Sequence, residues 1–451
     1  MVPFADRVPL KEKIGYSLGD SAFNLYWKIF EFFLVFFYTD VFGLSSSTAA
    51  TMMLVTGLYG AVADLLIGLI ADRTQTRWGH FRPYFLWGAA PLALAGVLTF
   101  TTPNLGSGKI LYAYITYGML MLAYSAVNVP YSALMGVMTQ NSMERTSISS
   151  IRFFGAFTAA VFVQYFTLWF VKFFGHGNEA RGWQLTLALY GALAFVLLML
   201  CFASTRERVV PHKLQNANNR RDFRDLISSR PWQVMIGAQL ISLAAFAIKS
   251  SASAYYFKYF VNRQDLLGLF LLANGIAFLA AVALTAQLAR YLGKRQLFAL
   301  SLGLGGLLVG LCWFAQPGDI LFIFALQIAS SFALGFKSPL VFAMFADTAD
   351  HTEWRTGRRC TGLVFASAIL STRVGMAIGA WLFGIALTYY GYRGNMLQSA
   401  RSLQGIILCM SLIPCAMLLV AAAAMAFYSL HDSRMAKIET ELKEQRRSIE
   451  A

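Results

Sequence analysis

The sequence predicts an all-α integral membrane protein, with about twelve spanning helices in two six-helix sets. Three observations carry that expectation. Apolar runs of about 18 residues or more, the length that crosses a bilayer core, recur from one end of the chain to the other. Of its 451 residues, 57% are hydrophobic and 13% charged, which no soluble domain of this size matches. Connecting segments alternate between strongly basic and nearly uncharged.

The spans fall at roughly 16–41, 47–70, 84–102, 109–137, 147–174, 183–204, 232–260, 265–289, 297–316, 320–346, 360–389 and 402–430. One set of loops holds Arg73, Arg77 and Arg82; Arg145; Arg206 through Arg230; Arg290, Lys294 and Arg295; and Arg355, Arg358 and Arg359. The opposite set is short and sparse, as in Pro103 to Gly108 and Pro317 to Asp319. The positive-inside rule makes the basic set cytoplasmic, and an even number of spans then puts both termini there too, in a bacterial inner membrane. The net charge of +15 is explained by this topology without invoking nucleic acid. The N-terminus, Met1 to Lys13, runs into a full-length span and does not read as a cleaved leader. Residues 1–204 form the first expected bundle and 205–231 a central cytoplasmic loop. Residues 232–430 form the second bundle and 431–451 a solvated tail helix.

The chemistry lies on the helices. A charge at the bilayer centre costs roughly 3 kcal/mol on insertion scales, so each one must face a polar cavity or a partner. Asp20, Asn24, Lys28 and Glu31 are spaced by four, four and three residues, which puts them on one face of span 1. A Lys28–Glu31 pair that only neutralises itself is the bland alternative. Span 4 carries Tyr124, Ser125, Asn128 and Ser132 around Pro130, which frees a backbone carbonyl beside a cavity. Serine and asparagine are also common glue between membrane helices. Asp64 is the acid deep in span 2, where a carboxylate must be protonated, paired or bound to a cation. Arg152, Lys249 and Arg373 add positive charge from spans 5, 7 and 11. Lys258 and Lys337, nearer span ends, read as snorkelling side chains. The five histidines (80, 176, 212, 351 and 431) all lie at loops or interfaces, and the five cysteines lack metal-ligand spacing. Close helix packing accounts for Gly303, Gly305 and Gly306.

Several motifs are more specific. They are Gly15-Tyr16-Ser17-Leu18-Gly19-Asp20, Tyr38-Thr39-Asp40-Val41 and the loop Asp72-Arg73-Thr74-Gln75-Thr76-Arg77-Trp78-Gly79-His80-Phe81-Arg82-Pro83. Asn128-Val129-Pro130-Tyr131, Glu144-Arg145 with Arg152-Phe153-Phe154, and the stretch from Asp347 to Gly362 complete the set. In these motifs the chain resembles the glycoside–pentoside–hexuronide:cation symporter family over nearly its whole length. That resemblance implies a major facilitator fold, two six-helix bundles rocking around a midplane site. It also implies cation-coupled import of a sugar.

Residue by residue, the resemblance implies a mixed site. The two sugar-binding aspartates of the family's melibiose symporter correspond to Asn24 and Asn128, and its span 4 tryptophan to Ser132. The span 5 arginine is kept as Arg152, and the span 11 lysine becomes Arg373. At the cation site two side-chain ligands correspond to Gly60 and Ala63, the inner aspartate survives as Asp64, and a threonine becomes Ser125. Sodium needs several oxygen ligands, whereas one carboxylate suffices to load a proton. The expectation is therefore proton coupling through Asp64, with Ser125 and Glu31 in the same role, and sodium as the alternative. A Lys28–Asp64 pair that abolishes coupling is a third possibility. Losing two acids while holding Lys28, Arg152, Lys249 and Arg373 favours an anionic ligand such as a hexuronide, with Arg152 and Arg373 holding it from opposite halves. A neutral pentoside or oligosaccharide is the alternative.

No cofactor or metal is expected, and the partners are the solute and membrane lipid around a monomer. A major facilitator exporter of a non-sugar solute, a membrane-embedded enzyme and a non-transporting sensor stand as rival classes. An enzyme would need paired acids, a metal cluster or a nucleophile–base pair at one depth.

Overall fold

The protein's computed structural model describes residues 8–139, 142–208, 224, 226–356, 361–435, 437–438 and 440–442. Outside them lie most of the expected central loop, Arg358, Arg359 and Cys360 of the last family motif, and the end of the tail. The chain divides into two compact units, Met1–Lys213 with Arg393–Met396, and Leu214–Tyr392 with Leu397–Ala451.

The first unit contains α1 (Leu10–Phe32), α2 (Ser46–Arg73), α3 (Pro83–Thr99), α4 (Lys109–Met138), α5 (Ser142–Gly175) and α6 (Glu179–Ser204). The second contains α7 (Arg230–Tyr255), α8 (Leu267–Leu292), α9 (Lys294–Gly310), α10 (Ile320–Gly335), α11 (Lys337–Thr356), α12 (Thr361–Tyr389), α13 (Ala400–Met410) and α14 (Leu412–Ala424). Among the described residues ten helical runs are long and apolar enough to cross a membrane. The expectation of about twelve also counts α1 and α3. The first carries Lys11, Glu12, Lys13, Asp20, Lys28 and Glu31, and the second is a shorter apolar helix of 17 residues.

Two breaks inside expected spans have local explanations. Pro414 has no N–H for the carbonyl of Met410, and the last span separates at Ser411 into α13 and α14. The span expected at 320–346 instead runs to Thr356, interrupted at Phe336 between α10 and α11. That extension changes the reading of Lys337. Far from a span end, it donates from Nζ to Ser242 Oγ on α7 at 2.8 Å, so the snorkelling expectation was wrong.

In the first unit α1 packs on α5 and α6, and small residues allow the close crossing. A Cβ on Gly15 would stand 1.7 Å from Ser204 Oγ, and one on Gly19 would stand 2.4 Å from the Tyr131 ring. The loop motif before α3 has an equally specific cause. Backbone N–H groups of His80, Phe81 and Arg82 donate to the Glu207 carboxylate at 2.8, 2.8 and 3.0 Å. Gly79 sits at φ +110°, and a Cβ there would meet Glu207 at 2.4 Å. Arg82 donates to the Phe202 carbonyl at 2.7 Å, and burial lowers its pKa while Glu207 opposes the shift.

In the second unit α7 packs on α12 and α14, α8 on α10, and α9 on α14. Its core includes Met235, Phe298, Met344, Phe345 and Tyr428. It also takes in Met435, Ile438 and Leu442 from the tail. These follow a helical i, i+3, i+7 spacing, and Trp354 Nε1 donates to Glu441 Oε2 at 2.5 Å. The tail helix is therefore amphipathic: one face packs on the core, and the other is exposed as its polar composition suggested.

Gly19→Val tests the α1 crossing, because the added side chain must displace Tyr131 or Cys201. Overpacking of this kind costs about 1–3 kcal/mol. We expect a clearly lower thermal unfolding midpoint in detergent, with Gly303→Ala, whose nearest neighbour is 3.9 Å away, close to wild type. Equal midpoints for the two variants would contradict the close-contact account.

Candidate functional site

In the first unit, the polar stripe of α1 resolves into two ion pairs. Arg152 Nε on α5 donates to Asp20 Oδ2 at 2.8 Å. The Arg152 guanidinium also lies over the Tyr131 ring at 5.4 Å. Tyr131 is fixed by stacking on Tyr16 with centroids 4.5 Å apart, and each hydroxyl donates to the other's backbone carbonyl, at 2.8 and 3.1 Å. Gly19 is what lets this ring lie against α1 beside Asp20. Among the described residues no hydrogen bond engages Asp20 Oδ1 or the terminal Arg152 nitrogens. A carboxylate acceptor and several guanidinium donors therefore remain next to each other.

About two turns along α1 from Asp20, Lys28 Nζ meets Glu31 Oε2 at 2.8 Å. Its carboxylate partner is Glu31 rather than Asp64, so the pairing that would have abolished coupling is not seen. Glu31 is 5% exposed, and its Oε1 has no hydrogen-bond partner among the described residues. The two cations expected to attract an anion in this half, Lys28 and Arg152, are both already neutralised by acids.

The remaining residues of this half are spread along α1, α2 and α4. Asn24 spends its Nδ2 on the Asp20 carbonyl at 2.9 Å. Asn128 is half-buried and Ser132 exposed, and among the described residues neither side chain makes a hydrogen bond. Ser125 is fully buried and Asp64 half-buried. An aromatic wall joins the two helices: Tyr124 stacks on Trp27 at 6.2 Å and meets Phe23 edge-on at 5.6 Å.

The second unit is built differently. Lys249 Nζ on α7 donates to Gln327 Oε1 on α10 at 2.7 Å and lies 3.5 Å from Ser330 Oγ. Gln327 Nε2 donates to Asn274 Oδ1 on α8 at 2.9 Å, and Ser331 Oγ donates to the same oxygen. Among the described residues no carboxylate is a partner of Lys249 or of Lys337. Arg373 is half-buried on α12.

Sequence reasoning found Lys249 but missed Gln327, Asn274 and Ser330, because it searched apolar spans for charge and passed over single amides. It also placed Asp20 on the polar face of α1 without assigning it a role. The available signal for both was the same: a hydrogen-bonding side chain inside an apolar run needs a partner.

A family model described as MFS/sugar transport protein matches residues 15–432. The chain is 34% identical over 439 residues to a putative glycoside/cation symporter, YagG, of Escherichia coli K12, covering 97% of this chain and 95% of that one. It is 34% identical to the isoprimeverose transporter of Lactiplantibacillus pentosus, covering 94% and 90%. A glucuronide carrier protein homolog of Escherichia coli K12 is 33% identical, covering 95% and 94%. Among solved structures, the D-xylose–proton symporter superposes with a TM-score of 0.64 at 14% identity, covering 92% of this chain and 96% of that one, a likeness of fold.

Asp20→Asn and Arg152→Gln test the first ion pair. Breaking a buried pair on one side strands a charge at a cost of about 3–5 kcal/mol, more than removing both partners does. The double variant should therefore unfold at a higher temperature in detergent than either single variant. Strictly additive losses would show that the two side chains are not coupled.

Proposed function

The chain belongs to the MFS/sugar transport protein family, and on that premise we propose that this cation-coupled sugar or glycoside symporter carries an acidic sugar, driven by protons. It is a multi-pass membrane transporter and not an enzyme. The observation that carries the sugar chemistry is the Asp20–Arg152 pair beside an aromatic wall. Sugar hydroxyls both donate and accept, and a carboxylate–guanidinium pair offers both roles side by side. The half-buried Trp27 ring supplies flat apolar surface for the carbon face of a pyranose.

The acidic part of the reading rests on charge. Lys28 and Arg152 are balanced by Glu31 and Asp20, while among the described residues Lys249 and Lys337 have neutral partners. An anionic ligand would supply what the helices lack. The glucuronide carrier relative supports this class, and the isoprimeverose relative supports the neutral alternative.

Proton coupling is supported by what surrounds Asp64. Gly60 and Ala63, on the preceding turn of α2, bring no side-chain oxygen for a metal cation. One carboxylate loads one proton. Glu31, with its unpartnered buried Oε1, is a second group able to hold one. Both termini are proposed to be cytoplasmic, on the alternation of basic loops.

Uptake into proteoliposomes tests the driving ion and the solute class together. A pH gradient of one unit is worth about 1.4 kcal/mol per proton and supports roughly tenfold accumulation. We expect that accumulation for a methyl glucuronide, with no dependence on sodium. Asp64→Asn should abolish accumulation while leaving exchange intact. Sodium-driven uptake of neutral glycosides at constant pH would overturn both proposals, and outward pumping alone would favour an exporter. Separately, cysteines placed near either terminus should resist impermeant reagents in intact cells; labelling from outside would refute the topology.

A further inference from the structure

The hydrogen-bond directions of the Lys249 cluster are set by the lysine. A lysine ammonium can only donate, so Gln327 must turn Oε1 toward it, at 2.7 Å. Its Nε2 then faces Asn274, which must present Oδ1, at 2.9 Å. The Ser331 hydroxyl donates to that same oxygen and fills its second lone pair. Ser330 Oγ, 3.5 Å from Lys249, gives its own proton to the Gln327 carbonyl at 3.1 Å.

Each amide orientation thus follows from the fixed polarity of the lysine rather than from a free choice of flip. The result is a surplus of donors. Asn274 Nδ2 carries two N–H groups that no hydrogen bond engages among the described residues. Lys249 keeps N–H capacity beyond Gln327, and among the described residues its charge has no acid as partner. Gln327, Ser330 and Ser331 are 4%, 1% and 4% exposed, so they form a buried floor, while Lys249 and Asn274 are only half-buried.

We infer that Lys249 and Asn274, aligned by Gln327, form a subsite for the carboxylate of the transported ligand. This rests on the acidic-sugar reading above and names where in the second unit the acid group is held. A carboxylate is acceptor-only when ionised, the complement of the donors left on Lys249 and Asn274. Charge-assisted bonds of this type are about twice as strong as neutral ones. A neutral hydroxyl would satisfy some donors but leave the lysine charge unanswered.

The test uses purified full-length protein in detergent and a matched pair of probes, methyl β-D-glucuronide and methyl β-D-glucoside. Wild type should bind the glucuronide at least tenfold more tightly. Lys249→Gln keeps a hydrogen-bonding side chain and should weaken the glucuronide by ten- to a hundredfold, with the glucoside within twofold of wild type. Asn274→Asp is nearly isosteric, places a carboxylate within the cluster, and should produce the same selective loss. Both variants retaining the glucuronide preference would overturn the subsite while leaving the acidic reading intact. Parallel loss of both probes would mark a structural role and also overturn it. A wild type that binds the two probes equally would overturn the acidic reading and the subsite together.

Discussion

A charge inside a bilayer has to be answered by another group, and the two units of this protein answer it in different ways. In the first, Arg152 reaches from α5 to Asp20 on α1, and Lys28 closes onto Glu31 within α1 itself. The net result is a polar face without net charge. It is held against the neighbouring helices by Gly15, Gly19 and the stacked Tyr16–Tyr131 pair. In the second, the partners of Lys249 and Lys337 among the described residues are amide and hydroxyl oxygens, which satisfy hydrogen bonds but not charge. Proteins retain such an arrangement in a membrane when a mobile ion or ligand completes it.

This difference bears on what a departure from the family's pattern means. Amides at positions 24 and 128 remove two negative charges from the first unit. On α1, Asp20 is committed to Arg152 and Glu31 to Lys28, so neither cation can be counted as free. The excess positive charge sits on α7 and α11 instead. The relatives span neutral and acidic solutes within a few per cent of identity, so overall similarity does not choose between them, and local charge balance is the better guide.

Much of the fold was legible because bilayer thickness and loop charge write themselves into the linear sequence. The signature glycines were legible too, although only the structure supplies their cause: Gly19 makes room for Tyr131, and Gly79 for Glu207. What could not be read were contacts between distant positions. Asp20 and Arg152 lie 132 residues apart, and Lys249 and Gln327 lie 78 apart. With one chain, spacing constrains neighbours on a helix but not partners across helices. That is why Lys28–Glu31 could be named in advance and the Gln327–Asn274 relay could not. Composition misled in two places. The polar tail hides an apolar stripe at Met435, Ile438 and Leu442, and Lys337 stands at an interior break that hydropathy alone placed near an end.

The central claim is that the first unit's lysine is already neutralised while the second unit's waits for an anion. Nuclear magnetic resonance of full-length protein, isotope-labelled at the lysine side-chain nitrogens, reads this directly. Titration with methyl β-D-glucuronide should move the Lys249 resonance and leave Lys28 in place, and methyl β-D-glucoside should leave Lys249 in place. Movement of Lys28 with Lys249 unchanged would contradict the account.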